Sequence, residues 1–425
     1  MENISDDILD IGETVFVNES IESFQYSEYD PQNPLGINTI GQIRIDIQGY
    51  DSYTLPSKSY LLVEGKLAAA AADYAEGDKV TLINNAIPYM FSQIKYNIND
   101  NTIEDVTSPG QATTMKGMLM RDNNFVKGLN MCWAKDTDAT ATSANAGFES
   151  RRQLIIVGPT PKGSFSFYIP LSHIFGFCAD YTKVIYGVKH SLLLSRKSDD
   201  DAIFRADAAG AGKITLSKLQ WCMPHVVPSL EYQNILAKQI EKKIKLPVLF
   251  RSNQCNSLAV PQATSFSWRL GSNTSAGRPR WIIVGFQTWR DGNQKQNPAL
   301  FDNVKVSDIH AILNNIRYPN TERALDFTAF KTSRAYEAFC NFKDEYYGKN
   351  ESSTQITPIE FIKLFPLFVI DVRRQPERLK TTTLDIQIKV KFNENVPANT
   401  TAYALMISDT LLYLESDGNK FHTVY

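Results

Sequence analysis

Between Leu384 and Phe392 every second residue is apolar. Leu384, Ile386, Ile388, Val390 and Phe392 alternate with Asp385, Gln387, Lys389 and Lys391. Successive side chains of a strand point to opposite faces, so this run describes a β-strand with one buried and one wet face. A helix would scatter the same residues around its circumference. The pattern recurs along the chain. Ile43, Ile45 and Ile47 are separated by Arg44 and Asp46. Leu61, Val63 and Leu67 share a face of the next run, and Phe165, Phe167, Ile169 and Leu171 form another. Val184, Tyr186, Val188, His190, Leu192 and Leu194 make a longer one. Tyr403, Leu405 and Ile407 follow a Pro397-Ala398-Asn399 turn, as in a hairpin with the run before it. Leu154–Val157 and Trp281–Phe286 are apolar throughout and are expected as central strands covered on both sides.

Helical periodicity is scarce. Leu236, Ile240 and Ile244 recur at i+4 among lysines, which predicts a short helix near 230–244. A second helix is expected from about Ser333 to Tyr347, around Tyr336, Phe339 and Phe342. Many short strands with turn signals between them indicate a sandwich or barrel. Strands do not alternate with long helices, so a parallel α/β fold is not expected.

The chain also echoes itself. Ile94-Lys95-Tyr96-Asn97 and Ile316-Arg317-Tyr318-Pro319 each close a strand-like run. Phe165–Leu171, containing Pro170, is matched by Phe361–Leu367, containing Pro366. The period suits a whole domain of roughly 190 residues and is too long for a solenoid. The reading is an acidic arm over 1–40, a first unit over 41–228 and a second over 229–425, with the helix near 230–244 as linker. Tyr96 to Pro170 spans 74 positions and Tyr318 to Pro366 spans 48, so the first unit carries 26 extra. Asp136–Ser150, rich in Ala, Thr and Ser, is the expected insertion and should be a mobile surface loop. Ala68–Ala72 and Ala206–Gly212 read as small-residue loops.

The 425 residues are 43% hydrophobic, enough for two cores of ordinary size. Net charge is −2, which gives no overall basic bias toward nucleic acid. The charge is unevenly placed. Glu2, Asp6, Asp7, Asp10, Glu13, Glu19, Glu22, Glu28 and Asp30 precede the first base, Arg44. An arm that packs nucleic acid would carry the opposite sign. This stretch reads either as a solvated tail or as an arm that docks on a neighbouring subunit or a basic partner. Cys132, Cys178, Cys222, Cys255 and Cys340 form no C-x-x-C pair, which suits reduced thiols. The first residues offer neither a basic nor an apolar segment of a secretory signal, so secretion is not expected. The longest apolar run, Leu364–Ile370, is far short of a membrane span.

No catalytic, cofactor-binding or metal-binding residue emerges. Asp207–Lys213 looks like a phosphate loop, but Asp207 stands where Gly is required and Ile214 where Ser or Thr is required. Ile214-Thr215-Leu216 reads as strand, whereas a phosphate loop precedes a helix. Cys222 and His225 lack a second ligand pair with zinc-like spacing. His173, His190, His225, His310 and His422 fall in no H-x-D or H-x-H motif, and His190 suits a hydrogen-bonded core position. There is no G-x-S-x-G. Glycosidase carboxylates lie far apart in sequence, so a carbohydrate-binding or glycan-processing β-sandwich remains the alternative function.

The second half resembles the double jelly-roll major capsid proteins of tailless double-stranded DNA viruses, the adenovirus, virophage and polinton lineage. It is most similar to polinton-like sequences of animal genomes. Pro279–Thr288, Asn297–Asp302, Asn314–Pro319, Pro366–Asp371, Leu384–Phe392 and Tyr403–Leu411 carry the resemblance, over roughly 230–425. Trp221 and Pro224 extend it weakly into the first half. The resemblance implies an all-β chain of two tandem eight-stranded antiparallel jelly rolls with a few short helices. It implies a structural virion protein without cofactor, a hexon-like homotrimer that tiles an icosahedral shell. It further implies a penton or minor capsid protein as partner, synthesis in the host cytoplasm, and no sequence-specific nucleic-acid binding.

Overall fold

The computed structural model describes residues 20–70, 72–122, 127–242, 245–273, 277–348, 354–376, 384–416 and 421–424. The first half holds strands β1 (Ile21–Tyr29), β2 (Gly41–Thr54), β3 (Tyr60–Ala69), β4 (Val80–Leu82), β5 (Phe91–Ile98) and β6 (Asn101–Thr107). β7 (Ser164–Pro170), β8 (Ile185–Arg196), β9 (Ile203–Arg205) and β10 (Gly212–Pro228) follow. Its helices are α1 (Ala86–Tyr89), α2 (Pro109–Met120), α3 (Ala146–Arg152), α4 (Leu171–Ile174) and α5 (Gly176–Asp180). Helix α6 (Leu230–Glu241) leads to β11 (Leu246–Ala259), β12 (Ser265–Asn273), β13 (Arg278–Thr288), β14 (Val306–Leu313) and β15 (Ile316–Tyr318). Helices α7 (Ser333–Tyr347) and α8 (Pro358–Lys363) precede β16 (Phe368–Asp371), β17 (Leu384–Phe392), β18 (Thr400–Ser416) and β19 (Phe421–Val424).

The two halves have one topology. In the second, the antiparallel sheets run β11-β18-β13-β16 and β12-β17-β14-β15. Counting its strands from one to eight, the orders are 1-8-3-6 and 2-7-4-5. In the first half β4 and β9 pair with each other as a short ribbon. The remaining strands run β1-β10-β3-β7 and β2-β8-β5-β6, again 1-8-3-6 and 2-7-4-5. Both halves are therefore eight-stranded jelly rolls. In the first roll a corner joins the sheets, where β10 meets β2 at His225 with Thr54 and Val226 with Tyr53.

The alternating runs face the sandwich interiors as expected. Ile43, Ile45 and Ile47 are buried on β2, and Val188, His190, Leu192 and Leu194 on β8. On β17, Leu384, Ile386, Ile388, Val390 and Phe392 are buried while Lys389 and Lys391 are exposed. Trp281–Phe286 is covered on both faces. Phe286 meets Phe392 of the opposite sheet at 5.8 Å, while Trp281 packs outward on Phe342 and Tyr346 of α7 at 5.4 and 5.6 Å. Helix α7 follows its predicted bounds, with Ala335, Phe339, Phe342 and Tyr346 forming one buried stripe.

Several expectations are corrected. Leu154–Val157 is not a strand but part of a wide helical turn, Gln153–Val157, because a short apolar run fits either geometry. β17 and β18 are not a hairpin. They belong to opposite sheets, and the Pro397–Asn399 turn carries the chain between them. Asp136–Ser150 lies at the surface as expected, but it is anchored and its end, from Ala146, belongs to helix α3. Buried Arg151 pairs with buried Asp136 at 2.7 Å and donates from Nε to the Leu82 carbonyl at 2.9 Å. Asn145 caps α3 by accepting from Phe148 N and donates to Asp136 at 2.9 Å.

The echoing landmarks are not equivalent points. Tyr96 lies on β5, the fourth strand of its roll, whereas Tyr318 closes β15, the fifth. Pro170 ends β7, whereas Pro366 precedes β16. Between equivalent points, Thr107 to Ser164 spans 57 positions and Tyr318 to Phe368 spans 50, a difference of 7 rather than 26. The first roll also begins before residue 41, because β1 pairs with β10 from Ile21 against Pro228 to Tyr29 against Trp221. Residues 1–19 of the acidic arm lie outside the described residues.

Candidate functional site at the seam between the rolls

The rolls meet where β6, α2 and α5 of the first pack on β11 of the second. Helix α2 is buried along Pro109–Leu119, with Lys116 as its one charged residue. It is placed as a buried spacer between sheets, so it shows no amphipathic stripe. Phe177 of α5 meets Phe250 of β11 edge-on at 5.6 Å. Gly176 makes the closest approach. A methyl group there would overlap the carbonyl oxygen of Arg251, so only glycine lets α5 lie against β11. Gly176→Ala should push the rolls apart and cost about 2 kcal/mol, measured as a lowered urea midpoint.

Glu104 on β6 sits at the centre of this contact. Its Oε1 accepts from Asn253 N at 2.7 Å and Gly176 N at 3.1 Å, and its Oε2 accepts from Phe177 N at 3.0 Å. One carboxylate thus ties the fifth strand of the first roll to α5 and to the second roll. Burial pushes this carboxyl up to about 7, against the pull of the three backbone donors and Lys116. Lys116 Nζ donates to Asn253 Oδ1 at 3.3 Å, and burial lowers its affinity for the proton. Asn253 Nδ2 in turn donates to the Ile174 carbonyl at 3.2 Å.

Arg251 fixes the rim of the seam. Its Nη2 and Nε donate to Asp180 at 2.6 and 2.9 Å in a fork. The guanidinium also lies 3.6 Å from the Tyr346 ring centre and donates to the Tyr346 carbonyl. Further contacts hold the rolls together. Gln294 accepts from Gly212 N and donates to the Gly212 carbonyl, both at 2.8 Å, while Gly292 N donates to Asp201 at 2.7 Å. Lys135 donates to Glu360 at 2.5 Å, the residue that completes the cap of α8.

The residues weighed for chemistry are dispersed. Cys222 is buried on β10, and His225 hydrogen-bonds with Tyr29 Oη at 2.7 Å and Ser52 Oγ at 3.1 Å. His190 is a core residue held by Thr54 and Tyr96 at 2.8 and 2.9 Å, and burial lowers it to about 3. His173 accepts from Arg121 at 3.0 Å and His310 meets Asp308 at 3.0 Å, both away from His190. His422 lies on β19. Asp207–Lys213 leads into strand β10, not a helix. Among the described residues no three metal-ligating side chains gather. The seam residues escaped the sequence reading. The one available signal was Lys116, a lone charge in a helix otherwise without charge.

Comparison with known proteins agrees with this geometry. No curated protein matches the chain. The structure of the Sputnik virophage superposes with a TM-score of 0.60 at 9% identity, covering 98% of this chain and 91% of that one. The mavirus major capsid protein gives 0.56 at 12% identity over 98% and 92%, and the faustovirus major capsid protein 0.55 at 8% over 96% and 92%. At such identities the likeness is one of fold. A family model, the double jelly roll-like domain, matches residues 80–412 and so spans the seam and most of both rolls. With the repeated 1-8-3-6 and 2-7-4-5 strand order, that match places the chain in the double jelly roll-like family.

Proposed function

We propose that this chain is the major building block of an icosahedral virus shell around a double-stranded DNA genome. Three copies would close a ring of six similar wedges, and the rings would tile the shell. The observation that carries the reading is an asymmetry between equivalent strands. β11 is covered by the first roll, with Val248, Phe250, Asn253 and Cys255 buried. Its counterpart β1 is uncovered, with Ile21 51%, Phe24 44% and Tyr26 47% exposed. β15, the counterpart of β6, has all three residues partly exposed. The internal seam joins two different faces, and such a contact repeats head to tail until a ring closes. The uncovered β1 and β15 ends are what each copy would present to the next. Solved relatives described as major capsid proteins support the same role.

On this reading the work is structural rather than catalytic, and the chain resides in the virion. Its partners are its own copies and a penton or minor capsid protein. No helix among the described residues is long and apolar enough to cross a membrane. Light scattering should give a trimer of 143.7 kDa, three times 47.9 kDa, and electron micrographs should show closed particles. Phe24→Asp should leave the fold intact and reduce the trimer to monomers. A concentrated wild-type chain that stays monomeric and binds glycans would overturn the reading.

A further inference from the structure

A cavity of about 980 Å³ opens at the rim of the seam, between the ends of β3 and β7 on one side and β11 and α7 on the other. Five cations line it: Lys58, Lys116, Arg121, Lys127 and Arg251. Two carboxylates oppose them. Asp180 is occupied by Arg251, and Asp122 is paired with Lys343. Tyr346 also lines the cavity and is 6% exposed, and its hydroxyl has no hydrogen-bond partner among the described residues. With five cations against two carboxylates, the lining carries an excess of positive charge that suits an acidic ligand.

The chain itself contains the complementary segment. Residues 1–19 carry Glu2, Asp6, Asp7, Asp10, Glu13 and Glu19 and no base. We infer that this cavity is the docking site of the acidic amino-terminal segment of the same chain. Reach favours the chain's own segment. Tyr26 of β1 donates to the Lys58 carbonyl at 3.4 Å, so β1 passes the cavity rim. Ser20 lies six residues from Tyr26, about 20 Å along a strand. Nineteen residues extend to about 60 Å, three times what the return requires. Tethering also raises the local concentration of the segment to the millimolar range, which a separate copy in dilute solution does not match. The inference does not depend on assembly into shells.

The test uses the full chain. Zero-length carbodiimide coupling of an equal mixture of isotopically heavy and light chains should join acids of residues 2–19 to Lys58 or Lys127. The links should fall within one isotopic form and vanish in high salt. Cleavage by a glutamate-specific protease at Glu13 should speed up about tenfold in the Lys58→Glu/Lys127→Glu double variant. The Lys58→Arg/Lys127→Arg variant should keep the wild-type rate, which separates charge from misfolding. Links between heavy and light chains would move the segment to a neighbour and overturn the assignment to the same chain. Absence of links, or equal cleavage in all three proteins, would overturn the site.

Discussion

Ile388→Asp should abolish cooperative folding of the second roll. Ile388 is fully buried on β17, between β12 and β14, and faces the opposite sheet. An aspartate there has no partner within the sandwich. Burying an unpaired carboxylate, or protonating it to avoid that, costs about 5 kcal/mol together with the lost apolar contact. That approaches the whole stability of a typical domain. Urea denaturation should show loss of the second-roll transition, while Lys389→Asp, on the wet face one residue away, should change little. Equal effects at both positions would mean that the strand is not fixed by its alternation.

The second large effect is expected at Glu104. Glu104→Ala strips three buried backbone donors of their acceptor and should cost about 4 kcal/mol. Glu104→Gln should be intermediate, because its amide can accept from Asn253 and Gly176 but turns a donor toward the Phe177 N–H. The pH dependence carries a definite sign. The folded carboxyl keeps its proton up to about 7, while the unfolded one releases it near 4.5. Between these values the folded state binds more protons, so wild-type stability should fall as pH rises, by roughly 3 kcal/mol in all. Denaturation midpoints of Glu104→Gln should lack this decline. Lys116 acts oppositely at higher pH, where loss of its proton relieves a buried charge.

What the sequence made legible was decided by local physics. Alternation in β2, β8 and β17 depends on neighbours two residues apart, so one strand suffices to show which face is buried. The stripe of α7 is equally local. The failures all involve partners distant in the chain. Leu154–Val157 is apolar for burial of either kind, and only its surroundings make it helical. Asp136–Ser150 has the composition of a loose loop, yet Arg151 ties it to Leu82, 69 positions away. Tyr96 and Tyr318 end similar-looking runs on different strands, because strand ends share a chemistry that does not depend on position in the roll. The seam was invisible for the same reason. Glu104 and Asn253 are 149 positions apart, and nothing near either residue announces the other.

The joining of both rolls in one chain bears on how fast rings could form. Six separate rolls would have to find one another, and their yield would fall with the sixth power of concentration. Here the contact through Glu104, Gly176 and Arg251 is made during folding, at whatever dilution the chain is synthesised. If the ring closes as proposed, three encounters remain and the dependence drops to the third power. The covalent link would then lower the protein level at which rings begin to close.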